Sequence, residues 1–224
     1  MPDIASNTND GYCAQGLNSW VDARAGAGNG FDSNNNQDAN AVWQFYHLGR
    51  GTYGIYRAFF EFDTSGIADA PSEATLKIRG YSRAEGDVIV IKSEQGASLA
   101  AGDFNSFEAA ILQQFLYTDG NGAGSLAGVS DVTYSAEITT WDISGYNDIA
   151  LNATALSDIA SLDLFKVCLM NHDNDYKDQD GTTQERNGFY WAEDGGSNRP
   201  YIDYTPGVVA GDDAIFFGCN FWDL

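Results

Sequence analysis

Tyr56-Arg57-Ala58-Phe59-Phe60-Glu61-Phe62 is the most legible stretch of the chain. Successive side chains alternate in an extended backbone, so Tyr56, Ala58, Phe60 and Phe62 share one face while Arg57, Phe59 and Glu61 share the other. This is the pattern of a strand with an apolar inward face, and a slip of one residue would expose the whole set. Leu76-Lys77-Ile78-Arg79-Gly80-Tyr81 alternates as well. Val88-Ile89-Val90-Ile91 is a continuous β-branched run between Gly86-Asp87 and Ser93-Glu94, as expected of a strand covered on both faces. Further strands are expected at 41–46, 132–139, 147–151, 162–170, 187–192 and 201–205, giving about eight or nine in all. Phe60, Phe62, Leu76, Ile78, Val167 and Leu169 are expected to meet in one core.

Two short helices are expected between strands, one at 106–114 with Phe107, Ile111 and Phe115 on one stripe, the other at 153–160 behind Asn152 as N-cap. Gly- and Asp-rich connections of uneven length, with no internal repeat, indicate an all-β sandwich in one domain. The Gly-rich stretch 120–128 and Asn34-Asn35-Asn36 read as surface loops.

Composition sets the outer bounds. Of 224 residues, 43% are hydrophobic and 13% aromatic, enough for a sizeable core and against intrinsic disorder. Against 32 Asp and Glu there are only 11 Lys and Arg, a formal net charge of −21. Such a surface repels phosphate backbones and anionic lipid, so neither nucleic acid nor a membrane is an expected partner. No apolar run reaches the roughly 20 residues of a transmembrane helix. The N-terminal sequence has neither a basic n-region nor an apolar h-region, so no secretory signal is expected and synthesis is placed in a reducing cytoplasm. Cys13, Cys168 and Cys219 fit neither a disulfide framework nor a zinc knuckle and read as structural thiols.

The run from Tyr56 through Phe62-Asp63-Thr64-Ser65-Gly66-Ile67, followed by Ser72-Glu73-Ala74-Thr75-Leu76-Lys77-Ile78, resembles the opening of the DNRLRE-type, disaggregatase-related jelly-roll modules. Gly188-Phe189-Tyr190-Trp191-Ala192-Glu193 and Asn198-Arg199-Pro200-Tyr201-Ile202-Asp203-Tyr204-Thr205 resemble their closing strands. The likeness spans about residues 41–205. It implies a jelly roll of eight or nine antiparallel strands over residues 1–205, a fold found in cell-surface adhesins, carbohydrate-active enzymes and phage structural proteins. An acidic copy without a signal peptide is most similar to the phage group, which implies a place in a virion and synthesis in a host cytoplasm.

Several residue sets carry candidate chemistry. Glu61, Glu137 and Glu193 lie on expected strands, with Glu61 expected to face Arg57, or Lys77 and Arg79, as a cross-strand ion pair. Two histidines, His47 and His172, and few basic residues leave little for acid–base or lyase chemistry, so no catalytic residue is assigned. Asp173, Asp175, Asp178 and Asp180 place hard oxygen ligands in one short loop and are candidates for a structural Ca²⁺, the one cofactor considered. Trp20, Trp43 and Trp141 are candidates for stacking on a glycan, whereas Trp191 is expected in the core.

Residues 206–224 lie beyond the closing strand and contain Phe216, Phe217, Phe221, Trp222 and Leu224. Exposed, such a run invites aggregation, so it is read as an assembly element. The sequence is accordingly read as a non-enzymatic virion subunit, in head decoration or tail, contacting other virion subunits and its own copies. A carbohydrate-binding adhesin module is the alternative, and a polysaccharide-degrading enzyme the third reading.

Overall fold

A computed structural model describes residues 2–107, 125–127, 129, 131–181 and 183–207. Among these are eleven strands: β1 (Asp3–Ala5), β2 (Gly11–Leu17), β3 (Gly30–Asp32), β4 (Gln37–His47), β5 (Thr52–Asp63), β6 (Glu73–Ala84), β7 (Val88–Lys92), β8 (Tyr146–Ala150), β9 (Leu164–Asn171), β10 (Glu185–Tyr190) and β11 (Tyr201–Thr205). Two α-helices are described, α1 (Trp20–Ala25) and α2 (Ala153–Ser161). Every ladder between these strands is antiparallel. The all-β sandwich read from the sequence is therefore the architecture of the chain.

β6 serves both layers of the sandwich. Its first part pairs with β11 and β8, and its second part, from Gly80 to Arg83, pairs with β10. β10 leads to β4, and β4 to β5, the strand on which the second layer is built. One edge of β5 carries all of β2, from Leu17 opposite Tyr53 to Gly11 opposite Phe59. Its other edge is divided, with β4 opposite Thr52 to Tyr56 and β9 opposite Ala58 to Asp63.

Alternation along β5 then sorts side chains between two cores. Ala58, Phe60 and Phe62 enter the core between the layers with Leu76, Ile78, Val167, Leu169, Phe189 and Trp191. All six core residues named from the sequence are in that cluster, and Trp191 is buried there as expected. Ile55 and Phe59 point the opposite way, into a second core with Cys13, Trp20, Ile89, Ile91, Phe104, Cys168 and Met170. β7 divides its side chains as its unbroken apolar run requires, Val88 and Val90 to the first core, Ile89 and Ile91 to the second.

The second core exists because β5, β7 and β9 are roofed by α1, the 3₁₀ turn Ala101–Asn105 and a π-helical turn at His172–Tyr176. A buried ion cluster ties these pieces together. Arg57, projecting from β5 with no exposed side-chain surface, grips Asp175 through Nε to Oδ2 at 2.6 Å and Nη2 to Oδ1 at 2.7 Å. Arg24, in the last turn of α1, reaches Asp175 Oδ1 at 3.3 Å and Asp178 Oδ1 at 2.7 Å. Arg57 also donates to the Phe104 carbonyl at 2.9 Å, and its guanidinium lies 4.0 Å above the centre of the Phe104 ring. Burial alone would push the Asp175 carboxyl up, but Arg57 and then Arg24 outweigh it and hold the group below the ordinary carboxylate range.

Glu61 does form a cross-strand ion pair, as expected, but its partner is neither Arg57 nor Lys77 and Arg79. Arg57 and Glu61 share a face but stand four positions apart on an extended strand, so they reach different neighbours. Glu61 instead takes Lys166 on β9 at 3.3 Å and Asn7 from the segment after β1.

Other expectations are adjusted in detail. Residues 132–139 run beside β7 without forming a strand, because the Ser135 hydroxyl accepts the Val90 N–H that a ladder would need. α2 begins at Asn152, whose side chain accepts the Ala155 N–H at 3.0 Å, as expected. Of the helix expected at 106–114, Ser106 and Phe107 are non-helical and the rest lies outside the described residues, as do most of 120–128, Cys219 and the apolar tail residues Phe216, Phe217, Phe221, Trp222 and Leu224. Cys13 and Cys168 are buried free thiols; burial pushes the Cys13 thiol up to about 12 and that of Cys168 well above its ordinary value.

Phe60→Ala removes a ring with no exposed surface that touches both Phe189 and Trp191, with ring centres 5.6 and 5.3 Å away. The expected loss is about 3–5 kcal/mol in denaturant melts; a loss below about 1 kcal/mol would remove Phe60 from the core.

Candidate functional site

The β4–β5 hairpin carries a surface feature built from aromatic rings. The turn after His47 closes with the Arg50 and Gly51 N–H groups donating to the His47 carbonyl at 3.0 and 2.8 Å, and Gly51 takes a positive φ of 60°. The resulting register sets Trp43 opposite Tyr56 and Phe45 opposite Gly54. A side chain at Gly54 would occupy the space of the Phe45 ring, so glycine there lets Phe45 lie flat on the sheet.

These residues sit on the face of β5 that carries Ala58, Phe60 and Phe62, but beyond the part that the opposing layer covers. The rings form a row across three strands: Tyr12 to Tyr56 at 5.1 Å, Tyr56 to Trp43 at 5.0 Å, and Trp43 to Phe45 stacked at 4.1 Å. All four are part-exposed. A cleft of about 350 Å³ opens at the end of the row, between Trp43, Phe45, Tyr46, His47, Leu48 and Gln184.

Polar groups border the row. Burial and then the neighbouring Asp38 push the Tyr12 phenol up to about 12, and the same causes raise Tyr56, so both hydroxyls are neutral donors at ordinary pH. Burial also raises Asp38. Beneath the row, Trp43 Nε1 and Nε of Arg186, the residue opposite Trp43 on β10, have no acceptor among the described residues. Flat apolar faces beside neutral hydroxyls suit a ligand with apolar C–H faces and oxygen atoms.

Of the three tryptophans picked from the sequence, only Trp43 lies here. Trp20 is buried in the second core and its Nε1 donates to Asp178 at 3.0 Å. Trp141 is buried against Phe189 and donates to the Gly188 carbonyl at 3.3 Å. Both are packing residues, and neither has a ring face open for stacking. Sequence reasoning missed Tyr12, Phe45 and Tyr56 as partners of Trp43. Alternation gave the face of Tyr56 correctly; where the opposing layer stops covering that face is a matter of topology.

The acidic loop after β9 does not gather its carboxylates around one point. Asp175 is held by two arginines, Asp178 by Arg24 and Trp20, Asp173 by Lys177 at 3.0 Å, and Asp180 by the Tyr53 hydroxyl at 3.0 Å. With both oxygens of Asp175 engaged by guanidinium groups, the four do not form a Ca²⁺ cage. The three glutamates are separated in the same way. Glu61 pairs with Lys166, Glu137 with His172 at 2.8 Å, and Glu193 faces Asp10.

Asp10 has no exposed surface. Its Oδ2 accepts from the Ala192 N–H at 3.0 Å and Ser6 Oγ at 3.3 Å, while Oδ1 and Glu193 Oε2 are buried without a donor. Two acceptors pressed together require a proton between them. Burial, and after it the Glu193 charge, push the Asp10 carboxyl up to about 8.

No family model matches the sequence, and no curated protein matches it. Among the described residues no helix is long and apolar enough to cross a membrane.

The Asp10 proton gives a signed pH dependence. The folded state keeps a proton that the unfolded chain, with an ordinary carboxylate at 3.8, releases. The stability linked to it is full below that value and is lost as pH rises towards about 8. Asp10→Asn, neutral throughout, is therefore expected to flatten this decline and to exceed the parent protein in stability at about pH 9 but not at about pH 4. Denaturant midpoints at the two pH values check this, and parallel pH profiles would refute the shared proton.

Proposed function

We propose that the chain is a non-enzymatic structural subunit of a phage-like particle whose contribution is adhesion, with the Tyr12–Tyr56–Trp43–Phe45 row as its contact for a surface glycan. The observation that carries the adhesive role is the row itself: four rings in contact across three strands, on a core-type face that the opposing layer leaves part-exposed. A pyranose presents an apolar C–H face to such rings, while its hydroxyls meet the phenols and carboxylates at the border.

The separation of Glu61, Glu137 and Glu193 into independent ion pairs or proton-sharing contacts supports the non-enzymatic reading, since glycoside hydrolysis needs two carboxyls flanking one bond. The place in a virion is supported by the sequence alone: the resemblance to DNRLRE-type modules, the net charge of −21 and the apolar residues that follow β11. Contact with other virion subunits and with further copies of this chain belongs to the same proposal.

Trp43→Ala and Tyr56→Ala are expected to remain folded and each to weaken binding to a retained polysaccharide about tenfold, equivalent to about 1.4 kcal/mol. Affinity electrophoresis across a polysaccharide panel measures this, with reducing-end assays on the same panel showing no turnover. Binding indifferent to both substitutions would refute the platform, and turnover lost with Glu61, Glu137 or Glu193 would refute the non-enzymatic reading.

A further inference from the structure

Away from the aromatic row, the end of β9 brings a histidine and two carboxylates together. Asn171 closes the β9–β7 ladder opposite Val88, and Val88 exchanges both main-chain hydrogen bonds with Ile138, at 3.1 and 2.8 Å. Ile138 and Asn171 thus flank Val88 on opposite edges of β7, and the side chains of the next residues, Glu137 and His172, meet across the strand. The His172 N–H donates to the Asp87 carbonyl at 2.9 Å, and the imidazole lies nearly parallel to the Tyr176 ring, with centres 5.5 Å apart. The His172 side chain is only 7% exposed. Its Nδ1 stands 2.8 Å from Glu137 Oε1 and 3.1 Å from Asp173 Oδ1.

We propose that His172 Nδ1, Glu137 and Asp173 form a binding site for a divalent transition-metal ion of the Zn²⁺ class. One donor atom from each residue lies within 4.8 Å of the others. Tetrahedral Zn²⁺, with bonds of about 2.0–2.2 Å, holds neighbouring donors roughly 3.3–3.6 Å apart. The present 2.8 and 3.1 Å separations need open by less than about 1 Å, which side-chain rotation supplies. Three protein ligands leave one position for water or another ligand, the arrangement of an open zinc site. An imidazole nitrogen among the donors selects a borderline ion over Ca²⁺ or Mg²⁺, which prefer oxygen alone.

The surroundings favour a cation. Burial raises the Asp87 carboxyl, and Asp173 and Glu137 raise it further; burial also raises Glu185, with Asp173 and Asp87 adding to it. Four carboxylates therefore share this corner with Lys177 and Arg83. Lys177 Nζ, 3.0 Å from Asp173 Oδ1 on a side chain 36% exposed, can swing to solvent as the ion takes over its charge. The proton that Nδ1 directs at the carboxylates leaves for Nε2 or for solvent when the metal bonds there.

Calorimetric titration of the full chain with Zn²⁺ tests the site, with Co²⁺ absorption in the visible range reporting coordination. One ion per chain is expected, undisturbed by a hundredfold excess of Ca²⁺ (an order-of-magnitude competition ratio). His172→Gln is expected to abolish binding, and Glu137→Gln and Asp173→Asn each to weaken it about tenfold or more. His47→Gln, at the exposed end of β4, is expected to leave it unchanged. Because His172 is buried, Glu137→Gln on the more exposed rim is the decisive variant. No uptake, uptake insensitive to Glu137→Gln and Asp173→Asn, loss with His47→Gln, or displacement by Ca²⁺ would each overturn the proposal.

Discussion

The Arg57–Asp175–Arg24 cluster is the constraint on which the second core depends. Three charged side chains without exposed surface, from β5, the π-helical turn and α1, sit beneath a roof of short elements. A helix of six residues and single 3₁₀ and π turns have little stability of their own, since helix nucleation is costly and few bonds repay it. Their order comes from what they are attached to. Arg57 supplies a planar fork that is bonded at once to Asp175, the Phe104 carbonyl and Asn105, so one side chain from the central strand fixes two separate segments.

Charge in such a place stabilises only while it is matched. Each ion loses several kcal/mol of hydration on burial, and the return depends on geometry and on satisfying the remaining donors. Here two arginines meet two aspartates, and the remaining Arg57 donors find the Phe104 carbonyl and the Asn105 side chain. This explains why the acidic loop is not a cation cage. Its most buried carboxylate is already spent on the protein's own arginines, and only Asp173, at the outer end, remains near His172 and Glu137.

Much of this architecture is legible in the sequence where a local pattern decides it. The alternation of β5, the unbroken β7 run and the Asn152 cap all translate directly into observed elements. β1, β2, β3 and α1 were not legible. Gly11 and Gly16 give β2 the look of a loop, and α1 is too short for helical periodicity to register. The site was legible only at Trp43. Long-range register, which the local pattern does not encode, makes Tyr12, Tyr56 and Phe45 its neighbours, and likewise sends Trp20 and Trp141 inward and Arg57 to Asp175 instead of Glu61.

A double-mutant cycle on Arg57 and Asp175 tests the dependence of the second core on its ion cluster most directly. Asp175→Leu leaves Arg57 buried without its counter-ion and is expected to cost about 3–5 kcal/mol in denaturant melts. Adding Arg57→Met removes the stranded charge, so the double variant is expected to be more stable than Asp175→Leu alone, with a coupling of about 1 kcal/mol or more. Costs that simply add would show that the two residues do not act as a unit, and would contradict the dependence of the second core on the buried cluster.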